Sequence, residues 1–287
     1  MYAEIIMTRL LIAFTFIIVT ATNACSQNIE PLDLAHKIFG KEKFTMLNNY
    51  ITGEYIGQPN GQDIGEGAIK KFSLLGQTEN KAVVAMTILD SSGQGLDTYL
   101  HFVKDTVWKM EAFRALAQTG IIEQVVLELE KMSPQQVDSI VNKSKKDKKN
   151  KEYAIFTSRE DYDFQLGNSK LTLALDDEII KHFLDNKPEF ERIKDSALKE
   201  LKNKKSDERG VKLVEKLKPE YQKLFISSVS YGDYDIGLCL NFLIGGILDN
   251  TVGYIYVKDK KDLPKMDTDS IIMIREIGGG WYIYKTT

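Results

Sequence analysis

The periodicity of apolar and polar residues changes several times along this chain, and each change predicts a new element. Leu32, Leu34, Ile38, Phe39, Phe44, Leu47 and Tyr50 recur at helical spacing, which predicts one or two amphipathic helices interrupted near Gly40. Residues 51–67, rich in Gly, Gln and Asn and containing Pro59-Asn60-Gly61, read as a loop. Residues 68–75 fit a short helix or a strand equally well. The period then becomes two. Residues 82–89, 96–103 and 107–113 predict three strands, with 91–95 (Ser-Ser-Gly-Gln-Gly) as a turn. Leu100 and Phe102 share one face, while Tyr99, His101 and Val103 share the other. Trp108, Met110 and Ala112 oppose Lys109 and Glu111, as a half-buried antiparallel sheet requires.

Helical spacing returns at 121–131 through Ile122, Val125, Val126 and Leu129. Ser133-Pro134-Gln135-Gln136 then supplies an N-cap, a proline in the first turn and a Gln three residues after the cap. Residues 153–157 fit a strand, and 158–161 a helix start. Residues 171–175 form a short apolar run. Asp176-Asp177-Glu178 caps and charges a long helix with Ile179, Ile180, Phe183, Leu184, Phe190, Ile193, Ala197 and Leu201 as its apolar stripe, which Pro188 should kink or divide. Ser206-Asp207-Glu208 predicts a further helix carrying Val211, Val214, Leu217, Tyr221, Leu224 and Phe225, broken or restarted at Pro219. The last stretch has four β-rich runs, 238–244, 251–257, 271–277 and 281–284, separated by Gly, Asn, Asp and Pro. These predict an antiparallel meander.

The expectation is therefore an α+β protein of two domains, each with helices packed on an antiparallel β-meander. Residues 29–142 form the first domain and 153–287 the second, with 143–152 between them. The order of helices and strands in 29–142 resembles cystatin-like and NTF2-like folds. In such folds a pocket opens between helix and sheet, and here Tyr99, His101, Glu111 and Asp97 would line it. The alternative for His101 is a hydrogen-bonded sheet residue. In the second domain Tyr254 and Tyr256 share one strand face, as do Tyr282 and Tyr284. They offer either an aromatic face for a sugar or protein partner, or core and cross-strand pairs.

Composition narrows the function classes. The chain has 287 residues, 43% hydrophobic and 28% charged, with a formal net charge of −3, so it is globular in type and not basic enough to suggest nucleic acid as a partner. Two cysteines exclude a disulfide framework and a thiolate zinc site. Three scattered histidines and the lack of any phosphate-loop, zinc-protease or nucleophile-elbow pattern suggest no metal, no cofactor and no catalytic site. Cys239, inside an apolar run, reads as a buried structural thiol. Residues 142–152 (NKSKKDKKNKE) hold six lysines and read as a solvated linker, or as a patch for anionic lipid headgroups.

The N-terminus predicts export. Residues 10–21 (LLIAFTFIIVTA) follow Thr8-Arg9 and precede Thr22-Asn23-Ala24-Cys25-Ser26-Gln27, so 1–27 reads as a signal peptide, with translation starting at Met1 or Met7. Ala24-Cys25 resembles the end of a bacterial lipobox. That resemblance implies a lipid anchor on Cys25 and, with Ser26 following, an outer-membrane address. The alternative is ordinary cleavage before Gln27 and a periplasmic or secreted product. Residues 177–183 and 186–191, with Gly253-Tyr254-Ile255-Tyr256 and the closing Trp281-Tyr282-Ile283-Tyr284, resemble an exported bacterial α+β domain of unknown function. The resemblance spans roughly the last 110 residues and carries no activity with it. Together these features predict an envelope lipoprotein that binds an envelope protein or glycan, or scaffolds. A small-ligand binder or enzyme using an NTF2-like pocket, and an envelope inhibitor or immunity protein, are the alternatives.

Overall fold

The computed structural model describes residues 28–146, 156–202, 205–206, 210–233 and 236–287. The export segment, Cys25, most of the lysine-rich stretch and the expected strand at 153–157 lie outside or almost outside these residues. The protein is α+β, with two antiparallel sheets.

The first sheet contains β1 (Ile69–Gln77), β2 (Lys81–Leu89), β3 (Gly95–Lys104) and β4 (Trp108–Ala115), in the order β1-β2-β3-β4. This is a true meander, and it resolves 68–75 as a strand. One face carries Val84, Met86, Leu100, Phe102, Trp108 and Met110. They pack under helix α1 (Pro31–Ile38), which contributes Leu34, Ala35 and Ile38. The free edge of β4 is covered by the 50–55 segment, where Met110 N donates to Tyr50 O (2.8 Å) and Thr52 N to Met110 O (2.9 Å).

The expectation of a half-buried first sheet needs correction, because its second face is buried as well. Val83, Ala85 and Tyr99 join a continuous apolar cluster with residues of the second sheet and its helices. The face that alternation marked as polar is covered by protein rather than water.

Helices α2 (Thr119–Glu130), α3 (Pro134–Lys146) and α4 (Arg159–Leu173) follow. The Ser133 box forms as its residues dictate: Gln136 N donates to Ser133 Oγ (3.3 Å) and Ser133 N to Gln136 Oε1 (2.7 Å). Leu129, Val137 and Val141 pack on Phe156, Tyr162 and Leu166, so α2 and α3 lie against α4. α3 runs through position 142 as far as Lys146. Pro188 divides the next helical stretch as expected, into α5 (Asp176–Asp185) and α6 (Lys187–Leu201). Beyond Gly210, whose φ is +85°, 211–217 is not helical. Residues Lys212–Leu213 form strand β5, paired with the sheet edge, and only Lys218–Tyr221 (α7) is helical before β6. β-Branched Val211 and Val214 and an open sheet edge outweigh a local helical pattern here.

The second sheet contains β5, β6 (Ser228–Asp233), β7 (Gly237–Ile247), β8 (Asn250–Tyr256), β9 (Ile271–Gly278) and β10 (Trp281–Thr286). Its order is β5-β6-β7-β8-β10-β9, which corrects the expected meander. Gly279 and Gly280, both at positive φ, close the tight β9–β10 hairpin. The long 257–270 connection lets β9 lie outside β10 instead of beside β8. α5 and α6 cover one face of this sheet, where Phe183, Phe190, Phe242, Tyr254 and Trp281 stack with ring centroids 4.8–6.0 Å apart.

Candidate functional site

The chain's most concentrated chemistry lies where the first sheet meets the second. β3 alternation aims Asp97, Tyr99 and His101 at one face, and that face meets the start of α5, the end of β10 and the edge strand β9. Asp97, Asp176 and Lys285 are 5%, 2% and 4% exposed, and Tyr99 is fully buried. Lys285 Nζ lies 2.8 Å from Asp176 Oδ1 and 3.9 Å from Asp97 Oδ2. It also sits 5.6 Å from the centre of the Tyr99 ring. The Tyr99 hydroxyl donates to both Asp176 oxygens, at 3.0 and 3.1 Å. Asp97 accepts from Thr87 Oγ1 (2.5 Å) and from the Asp176 backbone N–H (2.6 Å). Asp97 thus caps α5 from a different sheet, where the helix dipole favours a carboxylate.

Burial and the neighbouring Asp176 carboxylate push the Asp97 carboxyl above its ordinary range, against the pull of Lys285 and the Thr87 hydroxyl. Burial, followed by Asp176 and Asp97, holds the Tyr99 hydroxyl well above the usual phenol range, so it remains a donor. His101 Nε2 lies 3.1 Å from the Ile272 carbonyl and occupies an acceptor of edge strand β9. Burial lowers His101 to about 4, so the ring is neutral and Nε2 donates. Arg114 Nε donates to Thr268 O (2.7 Å), tying β4 to the connection before β9, and Arg275 pairs with Asp177 (2.8 Å) at the rim.

Of the residues proposed for a first-domain pocket, Asp97, Tyr99 and His101 lie together in this junction and are buried. His101 is the hydrogen-bonded sheet residue of the alternative reading. Glu111 does not join them. It is the extra residue of a β4 bulge, since Phe102 pairs with Met110 and His101 with Ala112, and its side chain packs near Gly53. The four tyrosines do not form one face. Tyr254 belongs to the helix-covered aromatic cluster, with Tyr256 packed at its margin, and the Tyr254 hydroxyl donates to Ile179 O (2.8 Å). Tyr282 and Tyr284 lie in a separate cluster on the opposite side, and the Tyr284 hydroxyl donates to Asn241 Oδ1 (2.9 Å). They are core and cross-strand residues. Cys239 is buried, as its apolar run predicts.

Sequence reading missed Asp176 and Lys285 as members of a site. Lys285 left a trace: it shares strand parity with Trp281 and Ile283, a core-facing position where a charge must find a partner. Asp176 gave no such trace, because an acidic residue at a helix start has a sufficient local explanation. Among the described residues, no group of three or more His, Cys, Asp or Glu side chains is placed to hold a metal ion. Among them also, no helix is long and apolar enough to cross a membrane. A cleft of about 330 Å³ lies elsewhere, at strand ends of the second sheet, and is lined in part by Asn241, Thr251, Tyr284 and Thr286. No family model, curated protein or solved structure matches this chain.

Proposed function

We propose that this is an exported envelope protein, held at the outer membrane by lipid on Cys25, that acts as a non-catalytic binding or scaffolding protein. The observation that carries this reading is the N-terminal pattern: a basic start, a short apolar run, and a lone cysteine after small residues. The burial of His101 supports the non-catalytic part, because the histidine best placed for acid–base work is committed to a hydrogen bond inside the fold. In this reading the chain is built as two α+β domains. The first is of cystatin-like or NTF2-like type, and the second is the exported bacterial type its Gly-Tyr-x-Tyr and Trp-Tyr-x-Tyr strands resemble. Lys143, Lys145 and Lys146 are exposed at the end of α3 and suit a position near anionic headgroups. The partner is an envelope protein or glycan.

Mass spectrometry of the mature N-terminus tests the proposal. The expected result is acyl mass on Cys25, with Cys25→Ala releasing the protein from the membrane fraction. An unmodified chain beginning at Gln27 removes the anchor, and an intact precursor in the cytosol removes export altogether.

A further inference from the structure

The junction holds more than a buried ion pair needs. It places an amine, a carboxyl carbon, a second carboxyl group and a hydroxyl donor together, with water excluded. We propose that Lys285 and Asp176 condense to an internal amide, with Asp97 carrying the proton and Tyr99 stabilising the oxyanion. The inference concerns this junction alone and stands whether or not the protein is exported.

Geometry selects the reacting pair. Lys285 Nζ is 2.8 Å from Asp176 Oδ1 but 3.9 Å from Asp97 Oδ2, so Asp176 supplies the carbon attacked. Asp97 is held on both oxygens, by Thr87 and by the Asp176 backbone N–H, which keeps its carboxyl carbon from the amine while Oδ2 faces Nζ as the nearest second carboxylate oxygen. The Tyr99 hydroxyl spans both Asp176 oxygens and donates to whichever carries the developing charge. All four side chains are 5% exposed or less. In such surroundings an ion pair gains little net energy over an uncharged contact. Fixing amine and acid at contact replaces a bimolecular encounter, an advantage that reaches effective molarities of about 10⁵–10⁸ M.

The step balances without a co-reactant. One ammonium proton of Lys285 passes to the Asp176 carboxylate. The neutral Nζ attacks Asp176 Cγ, forming the C–N bond and a tetrahedral oxyanion that faces the Tyr99 hydroxyl. Asp97 takes a second proton from nitrogen and returns it to the departing hydroxyl. The C–O bond breaks and water leaves. Ammonium plus carboxylate become one amide N–H, one carbonyl and one water, and Asp97 ends as it began. The elevated proton affinity of the Asp97 carboxyl suits it to this shuttle. The product ties the last strand to the first residue of α5, beside the first sheet.

Tryptic mapping of the full-length protein tests this. Cleavage after Lys170, Lys181 and Arg275 should release 171–181 joined to 276–287 as one branched peptide, lighter than the two together by one water. Fragmentation should place the link at Asp176 and Lys285. Recovery of 171–181 and of 276–285, cut after a free Lys285, overturns the proposal, and so does loss of water confined to the 171–181 peptide, which marks an Asp176 succinimide. This map uses the wild-type protein and depends on no variant. Asp97→Asn should leave the chain unlinked, and Tyr99→Phe should slow linking so that both species coexist and the unlinked one declines with time. A fully linked Asp97→Asn protein removes Asp97 from the mechanism.

Discussion

Two of the buried surfaces of this protein are closed in different ways. Over the second sheet, α5 and α6 bury a stack of aromatic rings: Phe183 lies 4.8 Å from Phe190 and 4.9 Å from Trp281, with Tyr254 and Phe242 completing the layer. Its few polar atoms are paired, as where the Tyr254 hydroxyl donates to Ile179 O (2.8 Å) and Trp281 Nε1 to Glu191 Oε1 (3.0 Å). Between the two sheets the buried surface instead carries two carboxylates, a lysine, a phenol and a histidine. An aromatic layer gains dispersion and apolar burial in many orientations. A charged junction gains little net energy over an apolar one, but it penalises every arrangement that leaves a charge unpaired. The first kind of face supplies stability, and the second fixes how one sheet sits on the other.

The aromatic layer should be the more costly to damage. Phe190→Ala removes a fully buried ring and should destabilise by about 4 kcal/mol, read as a lower denaturant midpoint with an unchanged slope. A loss below about 1 kcal/mol would mean that the layer is not the main support. At the junction, judged against the unlinked chain, Lys285→Ala leaves Asp97 and Asp176 facing each other and should cost about 3 kcal/mol. Replacing the set together, with Asp97→Asn, Asp176→Asn and Lys285→Met, should recover most of that loss. If the triple variant is no better than the single one, the junction contributes through packing and the contrast fails.

The smallest effect is a pH dependence specific to the junction. The folded state lowers His101 from 6.5 to about 4, so the unfolded chain binds the extra proton first. His101's contribution is complete above pH 6.5, falls as pH drops through the window from 6.5 to 4, and is gone below it. After a discount for partial solvent screening, this amounts to about 2 kcal/mol. Asp97, raised in the fold, acts in the opposite sense at its own titration, since stability falls as its carboxyl is forced to ionise. Denaturant midpoints measured from pH 7 to pH 4 should therefore decline in the wild type and flatten in His101→Gln. Equal slopes would place His101 in solvent rather than against Ile272.

Local signals in the chain suffice where they depend on near neighbours alone. The Ser133 box, the division at Pro188 and the positions of the β-rich runs all follow from residues within a few positions of one another. The misread places depend on distant partners. Residues 211–217 carry a helical pattern, yet part of this stretch pairs with β6. The strand order β8-β10-β9 is not written in four similar apolar runs, because it depends on where a long connection can reach. Tyr99 and His101 were found by residue type and parity on β3. Asp176 and Lys285, remote from them in sequence, were not.

By itself, then, the sequence determined the class of elements, most of their boundaries, their caps and the alternation that sets each strand's two faces, because these depend on backbone geometry and neighbours within a turn or a strand pair. Only the tertiary structure decided which of those faces meets water. The polar face of β3 is dry because another sheet covers it, and a lysine at the end of the chain is paired because the fold returns that end to the start of α5. Burial of a charge depends on everything packed around it, and one strand's pattern records only that strand's own contribution.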